Sequence, residues 1–114
     1  CVLTFTRLDV DDVDTLRQPE HVALLDADKL KYPLVVRRWV EGDSFVPFGM
    51  DRHKKISDFL IDCKVPLPDK KRQMVVVNGE DIVWVVGRRI DDRYKVDGST
   101  ENILQIVREA DSEV

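Results

Sequence analysis

The clearest pattern along the chain is a pair of apolar runs, Met74–Val77 and Ile82–Val86, separated by Asn78-Gly79-Glu80-Asp81. Two β-branched runs around an Asn-Gly turn predict a β-hairpin. Upstream, Val2–Leu8 alternates apolar and polar positions and reads as a strand. His21–Asp26 reads as another, followed by a turn at Asp26-Ala27-Asp28. Leu34–Val40 is rich in β-branched residues and reads as a strand, and Gly42-Asp43 signals a turn after it. Pro33 restricts Tyr32 to extended backbone. Asp9–Glu20 is acidic and poor in apolar residues, which predicts a loop with a short helical turn.

One segment carries a helical period. Ile56, Phe59, Leu60 and Cys63 follow i, i+3, i+4, i+7, so one face is apolar. The helix is expected over about 52–63, with Asp51 as N-cap and Pro66 as its stop. Pro68–Gln73 offers a short second turn, Arg89–Val96 a further strand or bent strand, and Ile103–Val107 a strand rather than a helix. Together these elements predict an α+β fold, mostly β, with one main helix.

Composition sharpens the picture in a few places. The 114 residues, 43% hydrophobic and 35% charged, suit one globular domain over 1–114. No apolar run approaches the roughly 20 residues that span a bilayer, and no leader is visible because the apolar start Cys1–Thr6 is short and gives way to Arg7 and the acidic stretch from Asp9. A chain opening on Cys1 reads as a fragment or a processed chain. Cys1 and Cys63 form no disulfide framework, which suits a reducing cytoplasm.

The net charge of −4 hides an asymmetry. Residues 1–36 hold 4 Lys and Arg against 7 Asp and Glu; residues 37–72 hold 9 against 6; residues 73–114 hold 5 against 9. A basic middle between acidic flanks can steer toward a polyanion, though a mixed solvated surface gives the same count. Arg52, His53, Lys54 and Lys55 crowd the expected helix start, where the helix dipole prefers acidic residues. A phosphate seated on the free N–H groups would resolve that conflict, and so would side chains that extend into water.

Other chemistry is thin. Asp58 and Asp62 lie four apart and face solvent or nearby lysines more readily than they form a catalytic pair. Cys63 falls on the apolar face and is expected to be buried. His21 and His53 have no partner at zinc-ligand spacing. Trp39 and Trp84 sit in apolar strand contexts and are expected to pack in or near the core, and no aromatic series suggests a base-stacking platform.

A longer series of motifs is more specific. Tyr32-Pro33-Leu34-Val35-Val36-Arg37-Arg38-Trp39 is followed by Gly42-Asp43-Ser44-Phe45-Val46-Pro47-Phe48-Gly49-Met50 and by Lys54-Lys55-Ile56-Ser57-Asp58-Phe59-Leu60-Ile61-Asp62-Cys63-Lys64-Val65-Pro66. Ile82-Val83-Trp84-Val85-Val86-Gly87 and Arg89-Ile90-Asp91-Asp92-Arg93-Tyr94-Lys95-Val96 continue it. Over roughly residues 22–100 this order resembles the C-terminal domain of the tRNA(Ile)-lysidine synthases. The resemblance implies a layered, β-sandwich-like fold similar to a domain of the phenylalanyl-tRNA synthetase β subunit. It implies a whole enzyme, in the cytoplasm, that uses ATP with magnesium and free lysine to convert the wobble cytidine of an isoleucine tRNA to lysidine. The S-G-G-x-D-S loop of that chemistry is missing from this sequence, so no catalytic residue is expected here.

By the same resemblance the domain binds the tRNA, including its acceptor stem, and works beside an N-terminal catalytic domain. The basic positions that match are Arg37, Lys54, Lys55, Lys64, Arg72, Arg89 and Arg93, while Arg52 replaces a usual small residue, which either alters the loop or adds a further candidate phosphate contact. Gly42, Pro47 and Gly49 match as turn residues; Asp43, Asp58 and Asp62 match as partners that orient basic side chains or satisfy backbone donors. The rival expectation is a protein-interaction or dimerisation module, giving a homodimer or docking the catalytic domain. Its mark would be an apolar exposed face on the hairpin at 74–86. An independent small enzyme would need a polar pocket that the sequence does not reveal.

Overall fold

In the computed structural model, which describes residues 2–110, the chain forms a three-stranded sheet, a four-stranded sheet, a two-stranded ribbon and a helical layer. In chain order the elements are β1 (Val2–Asp9), β2 (Val22–Asp26), β3 (Val35–Arg38), β4 (Ser44–Phe45), β5 (Lys54–Lys55) and α1 (Ile56–Asp62). There follow α2 (Leu67–Arg72), β6 (Met74–Asn78), β7 (Asp81–Val85), β8 (Arg89–Ile90) and β9 (Asn102–Glu109). One sheet has the order β1-β9-β2, the second β3-β6-β7-β8, and β4 pairs with β5.

The hairpin is the centre of the fold, because both of its faces are covered. Val76, Val83, Trp84 and Val86 pack against Ala23, Leu25, Leu104 and Ile106 of the other sheet, which makes a β-sandwich. Val75, Val77, Ile82 and Val85 pack on the opposite side against Phe45, Ile56, Phe59 and Leu60. The architecture is therefore helix, sheet, sheet, and the α+β, mostly β expectation holds. A bulge makes this two-faced burial possible: Val76 pairs with Trp84 and Val77 with Ile82, leaving Val83 without a partner. Val83 and Trp84 can then both face the sandwich, which strict alternation forbids. The two-residue loop is Gly79-Glu80, one position later than the Asn-Gly pair suggests. Gly79 takes φ +61 there, a conformation glycine adopts without a Cβ clash.

Several boundaries move. The helix covers Ile56–Asp62, not 52–63, and Asp51 is not its cap; Lys55 holds the cap position without a side-chain cap bond. Lys54 and Lys55 instead pair in register with Phe45 and Ser44. That pairing takes extended backbone up to the first turn and cuts the helix short. Ile56, Phe59 and Leu60 are buried as the period predicts, each stabilising the fold by about 1.5–3 kcal/mol relative to exposure. Cys63, expected to be buried, is exposed at the helix C-cap. The expected strand at Arg89–Val96 shrinks to two residues and a 3-10 turn at Asp92–Tyr94.

Lys64, not Pro66, ends the helix. It sits at φ 56, with its N–H donating to the Ile61 carbonyl and the Val65 N–H donating to the Leu60 carbonyl. This is a Schellman closure with lysine in the left-handed position that normally belongs to glycine. Lys64→Gly should therefore stabilise the protein by about 0.5–1 kcal/mol in urea unfolding, the relief of strain exceeding the entropy gained by the unfolded chain. Pro66 instead opens α2 as its cap residue.

Candidate nucleic-acid interface

Three of the basic residues singled out by the sequence already have carboxylate partners. Arg37 donates to both Asp43 oxygens, at 2.8 and 3.1 Å, and Asp43 also accepts from the Val40 N–H at 2.8 Å. Those hydrogen bonds raise the Arg37 pKa; at Asp43 burial pushes the carboxyl up, but the Arg37 and Val40 hydrogen bonds outweigh it and lower the pKa. Lys54 forms an ion pair with Asp62. Arg93 is held by Asp91, at 2.9–3.0 Å from its guanidinium nitrogens, and by Asp81 at 3.3 Å, which raises its pKa, the Asp91 hydrogen bond first. Asp43 and Asp62 thus act as the orienting carboxylates that the sequence suggested. Asp58 makes no ion pair among the described residues.

The basic run Arg52–Lys55 does not form the first helical turn where the sequence placed it. The Ile56 N–H donates to the Asp43 carbonyl at 2.9 Å, and the helix begins after the basic run, with Lys55 at its cap position. His53 lies outside the helix, with Nδ1 3.2 Å from the Ser44 hydroxyl.

Arg52, Lys55, Lys64, Arg72 and Arg89 make no ion pair among the described residues. Arg89 lies over the Phe59 ring, 5.5 Å from its centroid. Arg72 is brought to a cleft of about 540 Å³ that the sequence did not anticipate, where Arg38, Arg88 and Arg108 join it. These four come from β3, α2, the β7–β8 turn and β9, so no local run of basic residues announces them. Asp69 is the one carboxylate lining the cleft, and none of the four guanidinium groups makes an ion pair among the described residues.

The cleft is built, not merely left open. Buried Gln73 accepts from Arg88 Nε at 2.7 Å and donates its amide to the Met74 and Val86 carbonyls. Arg72 Nε donates to the Pro68 carbonyl at 3.3 Å. Gly87, at φ +77, brings the turn close to Arg108: a Cβ there would meet Arg108 Cδ at 3.5 Å.

A second cavity, of about 490 Å³, shares Arg88 with the first as a lining residue. Leu16, Phe48, Trp84, Ile90 and Val96 give it an apolar lining. Arg17, Arg89 and Lys95 stand at its polar positions, with Glu20 as the lining carboxylate.

The hairpin at 74–86 has no exposed apolar face, since Val75–Asn78 and Ile82–Val86 are buried. The mark of the rival interaction module is therefore missing from that hairpin. Trp84 is core, as expected, and Trp39 is half-buried with its indole N–H donating to the Lys70 carbonyl at 2.6 Å. Among the described residues no group of His, Cys, Asp and Glu is arranged to hold a metal ion, and no helix is long and apolar enough to cross a membrane.

Comparison with known proteins agrees with this architecture. The tRNA(Ile)-lysidine synthase of Parabacteroides distasonis is 42% identical over 102 residues, which is 90% of this chain and 23% of that protein. The enzyme of the same name from Caldanaerobacter subterraneus is 38% identical over 99 residues, 87% of this chain and 21% of the relative. The chain thus spans about a fifth of the length of these curated relatives. A crystal structure of a TilS C-terminal domain superposes with a TM-score of 0.78 at 19% identity, covering 92% of this chain and 80% of that one. An N-terminal fragment of the phenylalanyl-tRNA synthetase β subunit from Pyrococcus horikoshii gives 0.65 at 17%, covering 75% of this chain and 27% of that one; both likenesses are of fold. The family model described as the TilS substrate C-terminal domain matches residues 34–107, adding β9 to the resembling segment and leaving out β2, and the chain belongs to that family.

Proposed function

We propose that this chain is a non-catalytic tRNA-recognition domain, the C-terminal part of a tRNA(Ile)-lysidine synthase, and that it binds the acceptor-stem region of an isoleucine tRNA. In this reading ATP, magnesium and lysine are handled by an N-terminal catalytic domain of the same cytoplasmic protein. The observation that carries it is the cleft where Arg38, Arg72, Arg88 and Arg108 meet a single carboxylate in a chain of net charge −4. Guanidinium groups bind phosphate oxygens in a bidentate way and stay charged at any physiological pH. A duplex RNA hides its bases in a deep major groove, so such a surface holds phosphates and 2′-hydroxyls and reads shape. Arg52, Lys55, Lys64 and Arg89, without ion-pair partners among the described residues, extend the basic surface. Arg37, Lys54 and Arg93 serve mainly to fix loops.

The test is tRNA binding by this chain over a salt series. Arg38→Gln together with Arg72→Gln should weaken binding about tenfold or more and flatten the log–log salt slope by about one to two units. Lys31→Ala, on an exposed residue away from the cleft, should change little. If the double variant binds as tightly as the parent at every salt concentration, the cleft does not hold RNA phosphate.

A further inference from the structure

The two cavities have complementary characters. One presents four arginines and little apolar surface; the other presents Phe48, Ile90, Val96 and Leu16 under a basic rim. Arg88 lines both, and Gln73 fixes its position. Phe48 is 51% exposed although the residues around it in sequence, Phe45 and Val46, are buried. Its backbone is nonetheless fixed: the Phe48 N–H donates to the Ile90 carbonyl at 3.0 Å, and the following Gly49 N–H donates to Asp92. A half-exposed aromatic ring on an anchored loop, beside a volume in the usual 300–1,000 Å³ range of about that for small-ligand sites, offers a flat face at low entropic cost.

We infer that the paired cavities form one nucleotide site: the arginine cleft holds a phosphate while the apolar pocket takes an unpaired base of an RNA end, stacked on Phe48. This rests on the RNA reading above and adds the substrate class, a single-stranded end beside a duplex. Charge supports the occupant. Arg17, Arg88, Arg89 and Lys95 border the apolar pocket against one carboxylate, Glu20, although Lys95 also bonds Asp92 at 3.3 Å, Arg88 bonds Gln73 and the Arg89 guanidinium lies over Phe59. A neutral apolar ligand would gain nothing from that rim, whereas a base bearing its phosphate would. Base pairing would block insertion of the base, so a blunt duplex can use only the phosphate half of the site. Stacking is tolerant of base identity, so the site distinguishes unpaired from paired nucleotides more strongly than one base from another.

The experiment compares RNA hairpins with the same stem and either blunt ends, a four-nucleotide 3′ tail or a four-nucleotide 5′ tail, binding to this chain. A tailed hairpin should bind about tenfold tighter than the blunt one, an effect of the size that stacking of one base provides. Phe48→Ala should remove that preference and leave the blunt hairpin unchanged, while Phe48→Trp should retain it. Arg72→Gln should weaken tailed and blunt hairpins alike. Equal binding of blunt and tailed hairpins by the parent would overturn the base pocket and leave the RNA reading standing. A loss in Phe48→Ala that is equal for both would overturn it too. If no hairpin binds and tRNA does not bind either, the RNA reading itself falls. Phe48 is half-exposed, so a melting temperature close to the parent's is expected and separates recognition from folding.

Discussion

Phe59→Ala is expected to cost about 3–5 kcal/mol of unfolding free energy, the range for emptying an aromatic site in a closed core. The ring is 4% exposed and meets Phe45 edge-on, with centroids 5.0 Å apart and planes at 81°. Edge-to-face pairs of this kind stabilise by roughly 0.5–1.5 kcal/mol beyond the area they bury. Arg89 covers the outer side at 5.5 Å from the centroid, so the truncation also removes a cation–π partner. Collapse around the missing ring is limited, because β6 and β7 behind it are pinned by the sandwich on their other face. Urea unfolding checks the figure, with Ile61→Ala on the 60% exposed side of the same helix as the control, expected within about 0.5 kcal/mol. A Phe59→Ala loss as small as the control's would mean that α1 does not dock on the hairpin. For a domain whose total stability lies in the usual 5–15 kcal/mol range of about that size, the change is large enough to bring unfolding near ambient temperature.

How far this fold could be read from sequence depended on whether one residue pattern had one physical solution. The periodic face Ile56, Phe59 and Leu60 was legible, because a helix is the only regular structure that puts i, i+3 and i+4 together. Its ends were not. Lys54 and Lys55 look like the first turn, yet their pairing with Ser44 and Phe45 depends on a segment ten residues away. Cys63 continues the helical period, but the helix has already reached its cap there, and the thiol faces water. The β7 bulge was hidden for a different reason: Ile82-Val83-Trp84-Val85-Val86 is apolar throughout, so no polar residue marks which side chains face which layer. The arginine cleft illustrates the same limit for function. The basic middle segment contributes Arg38 and Arg72, but Arg88 and Arg108 come from the acidic C-terminal third and become neighbours only through sheet topology.

The second large effect is expected at Asp91, which is fully buried and holds together the loop and turn beside the apolar pocket. Its Oδ2 accepts from the Val46 N–H at 2.8 Å and from Arg93 Nη2 at 2.9 Å; its Oδ1 accepts from the Arg93 N–H and Nε at 2.8 and 3.0 Å. Its own N–H donates to the carbonyl of Val83, the bulged residue, at 2.8 Å. Asp91→Ala strips the Val46 donor and the Arg93 side chain of these partners at once. Breaking a buried ion pair from one side costs about 3–5 kcal/mol; because Arg93 is 35% exposed and retains Asp81, a loss of about 3 kcal/mol is expected here. Arg93→Ala should cost a similar amount, since it leaves a buried carboxylate with backbone donors alone. If the two residues act mainly through each other, the double variant should be destabilised by about 1–3 kcal/mol less than the sum of the two single losses. Arg93 would then be a residue that positions the turn, and Arg93→Ala should leave RNA binding within about twofold of the parent wherever both proteins are fully folded. RNA affinity lost in the folded Arg93 variant would instead make Arg93 a direct phosphate contact whose pairing with Asp91 gives way on binding, whereas additive losses in stability would show that the two side chains do not act through each other.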